Sequence, residues 1–407
     1  MTTGAFLHPY AKPTRLQTDF IRVVRGTGST VTDSAGKTYI DAMASLWYAN
    51  VGYGQPSIAD AVANQMHSIA AYHCFEPFSN EPAEAVCERL AQHAPFANAR
   101  VFLTSSGSEA VDSAMKLARI AQVRRGHPER TVIVTRGRAY HGVTYGGLSA
   151  QGLPANQEGF GPFVEGVVNL PPDDIEAMAL FMAEHGHTVA AIMTEPVQGA
   201  GGVFPPTPDY LAGLRRLADQ HDTLLIFDEV ICAFGRLGHW FGAEHFQVTP
   251  DLITFAKAVT SGYIPLGGVI ANRRVCDALE SDPNWMLRHG HTYSGHPTAC
   301  AAALANLDII EHQNLFARAP QLGDRIFDGF ESLQRDGLLR EVRREVAVGA
   351  TVLAEGRDAF ATRDALLHAG VITRAVNPET LTWCPPLVIT DKEIDTVVDA
   401  LSVALRS

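Results

Sequence analysis

The sequence predicts an α/β fold: a large domain with a mainly parallel sheet, and a smaller α+β domain built from both chain ends. Three observations support this prediction. The chain has 407 residues, 46% of them hydrophobic, which suits one large domain with a smaller companion. Nearly continuous apolar runs alternate with helical patterns through the middle of the chain, as in parallel sheets covered on both faces. The C-terminal part changes to longer helices and shorter strand patterns.

The predicted elements follow in chain order. Strand-like residues flank a turn at residues 34–36 and lead into the aromatic, glycine-rich loop LWYANVGYG. Helical spacing predicts helices over residues 109–125 and 209–222. The predicted strands of the large domain are RVFLT (100–104), TVIVT (131–135), VAAIMTEP (189–196), TLLIFDEV (223–230), LITFAK (252–257) and GGVIAN (267–272).

The C-terminal part reads as helices, then strands of a second, mixed sheet, then a last helix. AAALANLDIIEHQ and LFARAPQLGDRIFDGFESLQRDG are the predicted helices, and EVAVGATVLAEG and VITRAVNPETLTWCPP the predicted strands. A capping box from Thr390 to Glu393 opens the last helix. We therefore expect a large domain over residues 49–295 and a small domain from residues 1–48 and 296–407.

Charge and cysteine usage exclude several classes of protein. Thirty-two basic residues against 44 acidic ones give a net charge of −12, which argues against nucleic acid or an anionic membrane as partner. No apolar run reaches membrane-spanning length, and the N-terminal stretch MTTGAFLHPYAKP has no signal-peptide core. The six cysteines are scattered without a CxxC pair. These features predict a reduced, cytoplasmic protein.

The stretch VFLTSSGSEA predicts a strand, a turn of small residues and the start of a helix. Gly107 allows close backbone approach, Ser106 and Ser108 carry hydroxyl groups, and the free N–H groups of a helix start favour a phosphate. The plainer interpretation is an ordinary capping box from Ser106 to Glu109. The stretch matches neither a Walker motif nor GxGxxG, so a nucleotide is not the obvious anion.

Acidic residues end the buried strand LLIFDEV. Asp228 and Glu229 lie where ligands bind in parallel sheets, so a carboxylate there could hold a metal, act as a base or pair with a cationic ring nitrogen. A salt-bridged strand end is the structural alternative. We expect no metal, because no histidine or third acid stands at ligand spacing, and His289 and His291 alone do not make a site.

Two further strand ends complete the predicted site. Tyr140 and His141 follow TVIVT, where an aromatic side chain could stack on a planar cofactor or simply join the core. Lys257 ends LITFAK, and a desolvated lysine has a lowered pKa and can form a Schiff base. A turn that can bind phosphate, a flat aromatic side chain, a buried acid and a lysine are the four groups that pyridoxal 5′-phosphate requires.

At these residues the sequence resembles the class III aminotransferases, and within them the ω-transaminases that use pyruvate as acceptor. The resemblance spans essentially the whole chain and implies the fold type I scaffold of pyridoxal-phosphate enzymes. The motifs that carry it, in order, are LWYANVGYG, SSGSEAVDSAMKLAR, YHGVTYGG, TEPVQGAGGV, LLIFDEVICAFGRLG, DLITFAKAVTSGYIPLGGV, HGHTYSGHPTACAAALANL and GVITRA.

The resemblance assigns cofactor-binding roles residue by residue. Lys257 would form the aldimine with the cofactor and shuttle the proton, and Asp228 would pair with the ring nitrogen. Tyr140 and Val230 would pack on the two ring faces. The other implied cofactor contacts are Ser106, Gly107 and Ser108 at the phosphate, His141 and Glu195 near the ring, and Thr292 at the phosphate of a neighbouring subunit. A homodimer with shared sites, or a dimer of such dimers, follows from Thr292.

The resemblance also implies substrate contacts and a ping-pong exchange between an amine or ω-amino acid and a keto acid. Trp47 and Tyr140 would form pocket walls, and Arg374 would be a mobile arginine that meets a substrate carboxylate. Ala200 stands where ornithine and 4-aminobutyrate transaminases carry an acid, which argues against those substrates. The segment between YHG and TEPVQG is also short for the subgroup, which leaves the entrance more open.

The sequence is also compatible with three alternatives. FLHPYAKP is similar to the start of diaminopelargonate synthase of biotin synthesis, and Tyr10 would then lie in the pocket. A racemase or aminomutase on the same scaffold would need no keto-acid acceptor. A scaffold without catalysis would not need Lys257, Asp228 and Tyr140 together.

Overall fold

The computed structural model describes residues 3–406. Its strands, in chain order, are β1 (Val23–Thr27), β2 (Thr30–Asp33), β3 (Thr38–Asp41), β4 (Arg100–Thr104), β5 (Val132–Arg136), β6 (Val167–Leu170), β7 (Val189–Thr194), β8 (Leu224–Asp228), β9 (Leu252–Phe255), β10 (Gly267–Ala271), β11 (Leu339–Glu345), β12 (Val348–Leu353), β13 (Val371–Ile372), β14 (Arg374–Asn377) and β15 (Thr380–Trp383).

The helices are α1 (Ala44–Trp47), α2 (Pro56–Ser68), α3 (Glu81–His93), α4 (Gly107–Arg124), α5 (Tyr145–Ser149), α6 (Pro154–Gln157), α7 (Ile175–His185), α8 (Tyr210–Gln220), α9 (Gly242–His245), α10 (Arg273–Glu280), α11 (Pro297–His312), α12 (Leu315–Arg335), α13 (Ala359–His368) and α14 (Asp391–Arg406). Short 3-10 turns cover Gln17–Asp19, Gly186–Thr188 and Lys257–Val259.

The central sheet has seven strands in the order β4-β10-β9-β8-β7-β5-β6. Only β10 runs antiparallel to its neighbours, β4 and β9, so the predicted mainly parallel sheet is confirmed. In β8, Leu224 and Ile226 belong to one apolar cluster and Leu225 and Phe227 to another. Because successive strand residues face opposite sides, both faces of the sheet are covered.

Strand boundaries differ from the predictions where polar residues follow an apolar run. LITFAK leaves the sheet after Phe255, and Lys257 begins a 3-10 turn with φ +49°. TLLIFDEV ends at Asp228, so Glu229 lies beyond the strand. Strands β1 and β6 were not predicted, because β1 is mostly exposed and β6 is only four partly exposed residues at the sheet edge.

The smaller sheets correct one prediction. The C-terminal sheet β11-β12-β15-β14 is antiparallel throughout, so the mixed sheet predicted there is wrong. The mixed sheet is β1-β2-β3-β13, in which β13 pairs in parallel with β3. The pairs β11–β12 and β14–β15 are each joined by a short connection, and such hairpins impose antiparallel pairing. The pairing of β3 with β13 brings the two chain ends together, and the domain boundaries stay a prediction.

Helix α14 opens as the sequence predicts. The backbone N–H of Glu393 donates to Thr390 Oγ1, and that of Thr390 donates to Glu393 Oε2. All six cysteines are free. Across residues 3–406, none of the helices combines the length and apolar character needed to cross a membrane.

Candidate active site

A cavity of about 150 Å³ opens at the carboxyl ends of the central strands. It contains every residue predicted for cofactor binding except Thr292. Its lining residues are Ser106, Gly107, Ser108, Val111, Tyr140, His141, Gly142, Glu195, Asp228, Val230, Ile231 and Lys257. Parallel strands converge at this edge, so residues far apart in sequence meet here.

The turn before α4 forms one end of the cavity. Ser106 caps the helix by accepting the Glu109 N–H at 3.2 Å, so the N-cap half of the predicted capping box is confirmed. The reciprocal half is wrong, because the Glu109 carboxylate accepts from the Ser105 N–H. The N–H groups of Gly107 and Ser108 lie in the first turn, where no intrahelical acceptor exists. A side chain at Gly107 would meet Val230 at 3.1 Å. The Ser106 cap, the free N–H groups and the positive end of the helix dipole together form an anion-binding site, here called the anion cradle.

The Asp228 carboxylate is 5% exposed and is held by three donors. One oxygen lies 2.7 Å from His141 Nδ1, and the other accepts from Thr254 Oγ1 at 3.0 Å and from the Val230 N–H at 3.2 Å. Within the described residues, His141 Nε2 is buried without a partner. The neighbouring Glu229 does not line the cavity. It accepts from the N–H groups of Gly242 and Ala243 and so caps α9.

Lys257 reaches the cavity from the turn after β9. Burial lowers the pKa of its amine, while the charges of Asp228 and Glu195 raise it by less. The lysine has no ion pair or hydrogen bond to its side chain in the part of the chain that the structure describes. Its φ of +49° is uncommon for a residue with a side chain and is the kind of backbone strain that occurs at functional sites. A buried amine of this kind is a nucleophile rather than a structural cation.

Glu195 holds Tyr140 in place. Its two oxygens accept from the N–H groups of Tyr140 at 3.0 Å and Gly199 at 2.9 Å. Burial raises the pKa of Glu195. Burial likewise raises the pKa of the Tyr140 hydroxyl, which also contacts the Tyr10 hydroxyl.

Two predicted substrate residues lie beside Tyr140. Tyr10 is largely exposed apart from its contact with Tyr140. Arg374 begins the edge strand β14, and its positive charge offsets a small part of the rise that burial causes in the pKa of the Tyr140 hydroxyl. Among residues 3–406, the Arg374 guanidinium has no hydrogen-bond or carboxylate partner.

Trp47 lies beside the cavity and not on its surface. It is 2% exposed and belongs to the apolar cluster that contains Ile231, which does line the cavity. The structure therefore does not place Trp47 with the residues that line this cavity.

Thr292 lies outside the cavity of its own protomer. Its side chain is exposed, between His291 and Tyr293, and Tyr293 is 63% exposed. Phe75, half exposed, packs close to Gly290 of the same segment. Thr292 thus projects from an exposed aromatic surface.

Sequence reasoning missed Thr254 and Gly142. Thr254 is the one polar residue in the buried strand LITF, and a polar residue in such a strand indicates a hydrogen-bonding partner inside the protein. Gly142 has φ +97°, and a side chain there would meet the Ser108 hydroxyl at 2.5 Å. The glycine allows the loop after Tyr140 to close over the phosphate turn.

The cavity supplies the four groups that pyridoxal 5′-phosphate requires. An anion cradle, a flat aromatic, a buried carboxylate and a free amine all line the same space. The unpartnered His141 Nε2 leaves a buried polar atom for a ligand or water to satisfy. The residues present therefore fit this cofactor.

Comparison with known proteins finds aminotransferases both by sequence and by structure. A family profile described as "Aminotransferase class-III" matches residues 11–405. Putrescine–pyruvate aminotransferase of Pseudomonas aeruginosa is 34% identical over 427 residues, covering 96% of this chain and 92% of that protein. A probable aminotransferase of Mycobacterium tuberculosis is 40% identical over 311 residues, and the match spans 72% of this chain and 66% of that protein. An (S)-enantioselective omega-transaminase from Thermomicrobium roseum superposes with a TM-score of 0.94 at 33% identity, covering 99% of this chain and 96% of that one.

Proposed function

This chain belongs to the class III aminotransferases, and from that premise we propose that it moves the amino group of an amine or ω-amino acid to pyruvate or another keto acid. The observation that carries the proposal is the meeting of Lys257, Asp228 and Tyr140 with an anion cradle in one cavity. The pyruvate-dependent relative supports pyruvate as the acceptor. The test is a panel of amines and keto acids with the purified enzyme. If none of the keto acids is converted to its amino product, the proposal is wrong.

Pyridoxal 5′-phosphate is the cofactor of this family, and when bound it supplies an aldehyde that takes up the amino group and a ring that takes up electrons. Ser106, Gly107 and Ser108 would hold its phosphate. Asp228 would face the ring nitrogen as an anion, supported by His141.

The other side chains of the cavity have separate roles in proton transfer, orientation and the exclusion of water. Burial lowers the pKa of the Lys257 amine, which favours its neutral form, and a neutral Nζ can take a proton from the substrate carbon and return it. Tyr140 is fixed through its backbone by Glu195, so its ring keeps its orientation. Val230 and Ile231 provide apolar walls that exclude water.

Arg374 supports the recognition of two unlike substrates. An apolar amine requires that no unpaired charge be buried beside it, whereas pyruvate requires a cation, best as a guanidinium. Arg374 lies on an edge strand near Tyr140, with no partner within the described residues. It is therefore free to turn towards a carboxylate or away into solvent.

Arg374→Ala should mainly damage the pyruvate and alanine half-reaction. We expect a loss of roughly 30- to 1,000-fold there, since a charge-assisted pair contributes about 2–4 kcal/mol. The half-reaction of an apolar amine should change far less. Cofactor absorbance in single-turnover experiments measures the two halves separately. Arg374→Lys keeps the charge without the bidentate geometry and should fall between the two, while equal losses in both halves would mean a structural role.

The active unit in this proposal is a homodimer. Thr292 is exposed, without a side-chain partner in the described chain, and lies on a surface with exposed Tyr72, Phe75, Phe78 and Tyr293. Exposed apolar patches of this kind mark interfaces. A second copy covering the patch would bring Thr292 to the partner's phosphate.

Thr292→Ala should weaken cofactor binding about tenfold or more, because one hydrogen bond to a charged phosphate is lost. Fluorescence titration of the apoenzyme measures the affinity, and sedimentation velocity measures the oligomeric state. The variant should still form dimers, since the apolar surface is unchanged. A monomeric enzyme with unchanged cofactor affinity would contradict the shared site.

Diaminopelargonate synthesis is the second candidate, supported by the contact of Tyr10 with Tyr140. Turnover of the keto precursor of diaminopelargonate, with no turnover of simple amines, would decide for it. The cytoplasmic location predicted from the sequence stays a prediction.

A further inference from the structure

The segment that carries Thr292 is tied to helix α4 through one buried hydroxyl. Ser113 Oγ, fully buried, lies 2.9 Å from His289 Nε2 and 3.3 Å from His291 Nε2. The Phe102 ring stacks on His289 with centroids 5.0 Å apart and planes 12° from parallel, which fixes the imidazole plane. The two histidines flank Gly290, and Thr292 follows directly after His291, so one hydroxyl of α4 contacts both rings that precede Thr292.

The hydrogen bonds of this cluster form a chain in which each group donates a proton to the next. Lys116 Nζ lies 2.9 Å from His289 Nδ1 and has only protons to give, so His289 accepts there and carries its own proton on Nε2. Burial, with help from the Lys116 charge, lowers the pKa of His289 to about 4, which keeps the ring neutral. His289 then donates to Ser113, and the Ser113 hydroxyl donates to His291.

A longer electrostatic contact joins this chain of hydrogen bonds to the start of α4. His291 Nδ1 lies 3.9 Å from Glu109 Oε1, and the other Glu109 oxygen accepts the Ser105 N–H at 2.7 Å. Ser105 adjoins the phosphate turn, and Ser113 lies on α4 about 9 Å beyond its first residue, Gly107, at 1.5 Å per residue. One rigid helix therefore supports both this protomer's phosphate turn and the segment that presents Thr292.

We propose that Ser113, with His289 and His291, is a positioning network that sets the place of Thr292 for the partner subunit's cofactor phosphate. This inference rests on the proposed dimer with shared sites. Ser113 touches neither substrate nor cofactor, and it acts through Thr292. Without its hydroxyl, the His289 N–H loses its acceptor and the His291 ring loses its donor, so the segment loses its fixed distance from α4.

The test is a double-mutant cycle on cofactor affinity, measured by fluorescence titration of the apoenzyme with pyridoxal 5′-phosphate. Ser113→Ala should raise the dissociation constant about tenfold, as expected for one lost hydrogen-bonding group. In a Thr292→Ala background the same change should add almost nothing, because the network acts through Thr292. A merely structural role would instead weaken both backgrounds equally.

Control variants keep the test decisive. Ser149→Ala removes another buried hydroxyl, one that bonds Tyr145 and Val164 outside the network, and should leave the affinity unchanged. If Ser113→Ala fails to fold, Lys116→Met tests the network instead. It removes an exposed ammonium without touching the core and should also weaken cofactor binding. An unchanged or additive effect of Ser113→Ala, alongside a clear effect of Thr292→Ala, overturns the network alone. No effect of Thr292→Ala overturns the shared site and the network together.

Discussion

Lys257→Ala should lower turnover by more than about 10⁴-fold, because the nucleophilic amine and the proton carrier are the same group. Of the described residues that line the cavity, Lys257 is the one amine. No neighbouring side chain can therefore replace it. Steady-state conversion of an amine with pyruvate measures the loss.

The folded state should survive this change. Burying the polar Lys257 amine without a hydrogen-bonding partner costs free energy in the absence of cofactor, so its removal should leave the apoenzyme as stable or more stable. Thermal unfolding followed by circular dichroism checks this. Lys392→Ala, which removes an exposed lysine of α14, should keep full activity. Near-normal turnover by the folded Lys257→Ala protein would refute the assigned chemistry.

Asp228→Asn should lower kcat/KM by about 100- to 1,000-fold, the usual cost of removing a preorganised charge from a buried site. The amide keeps the size of the side chain and one acceptor oxygen for Thr254 and Val230. Its NH₂ group, however, would face His141 Nδ1, where the carboxylate now lies at 2.7 Å. The loss should appear in both half-reactions, unlike that of Arg374→Ala.

Glu229→Gln is the matched control for Asp228→Asn. Glu229 is the adjacent carboxylate, equally buried, but it binds the backbone of α9 and does not line the cavity. Burial raises its pKa to about 8, so an uncharged amide resembles its state at neutral pH. The variant should lose some stability and keep most of its activity. Comparable losses from both substitutions would mean that the strand end matters only for folding.

The sequence predicts the central sheet and the cavity well for a physical reason. Buried parallel strands are almost purely apolar, so Asp228 and Lys257 stand out as polar residues at strand ends. Contacts between distant segments leave no such pattern. Nothing in the chain predicts that Ser113 meets His289, since helix α4 and the segment before α11 are linked only by the fold.

Edge elements escape prediction for the opposite reason. Strand β6 is short and half exposed, so alternation and apolar content are both weak. The burial of Trp47 is likewise invisible in sequence, because it follows from the distorted turn α1, in which Ala44, Ser45 and Trp47 all have positive φ. Local propensity does not favour that conformation, and tertiary packing imposes it.

The parallel pairing of β13 with β3 has a consequence for biosynthesis. Val371 pairs with Ile40, so most of the chain lies between the partners. While the ribosome is translating, the N-terminal hairpin must wait for a strand that is made only after the whole central sheet. Closing so long a loop is slow and entropically costly. The nascent N-terminal segment therefore has an unpaired strand edge until β13 is synthesised, and such an edge is the form that chaperones bind and that aggregates when they are absent.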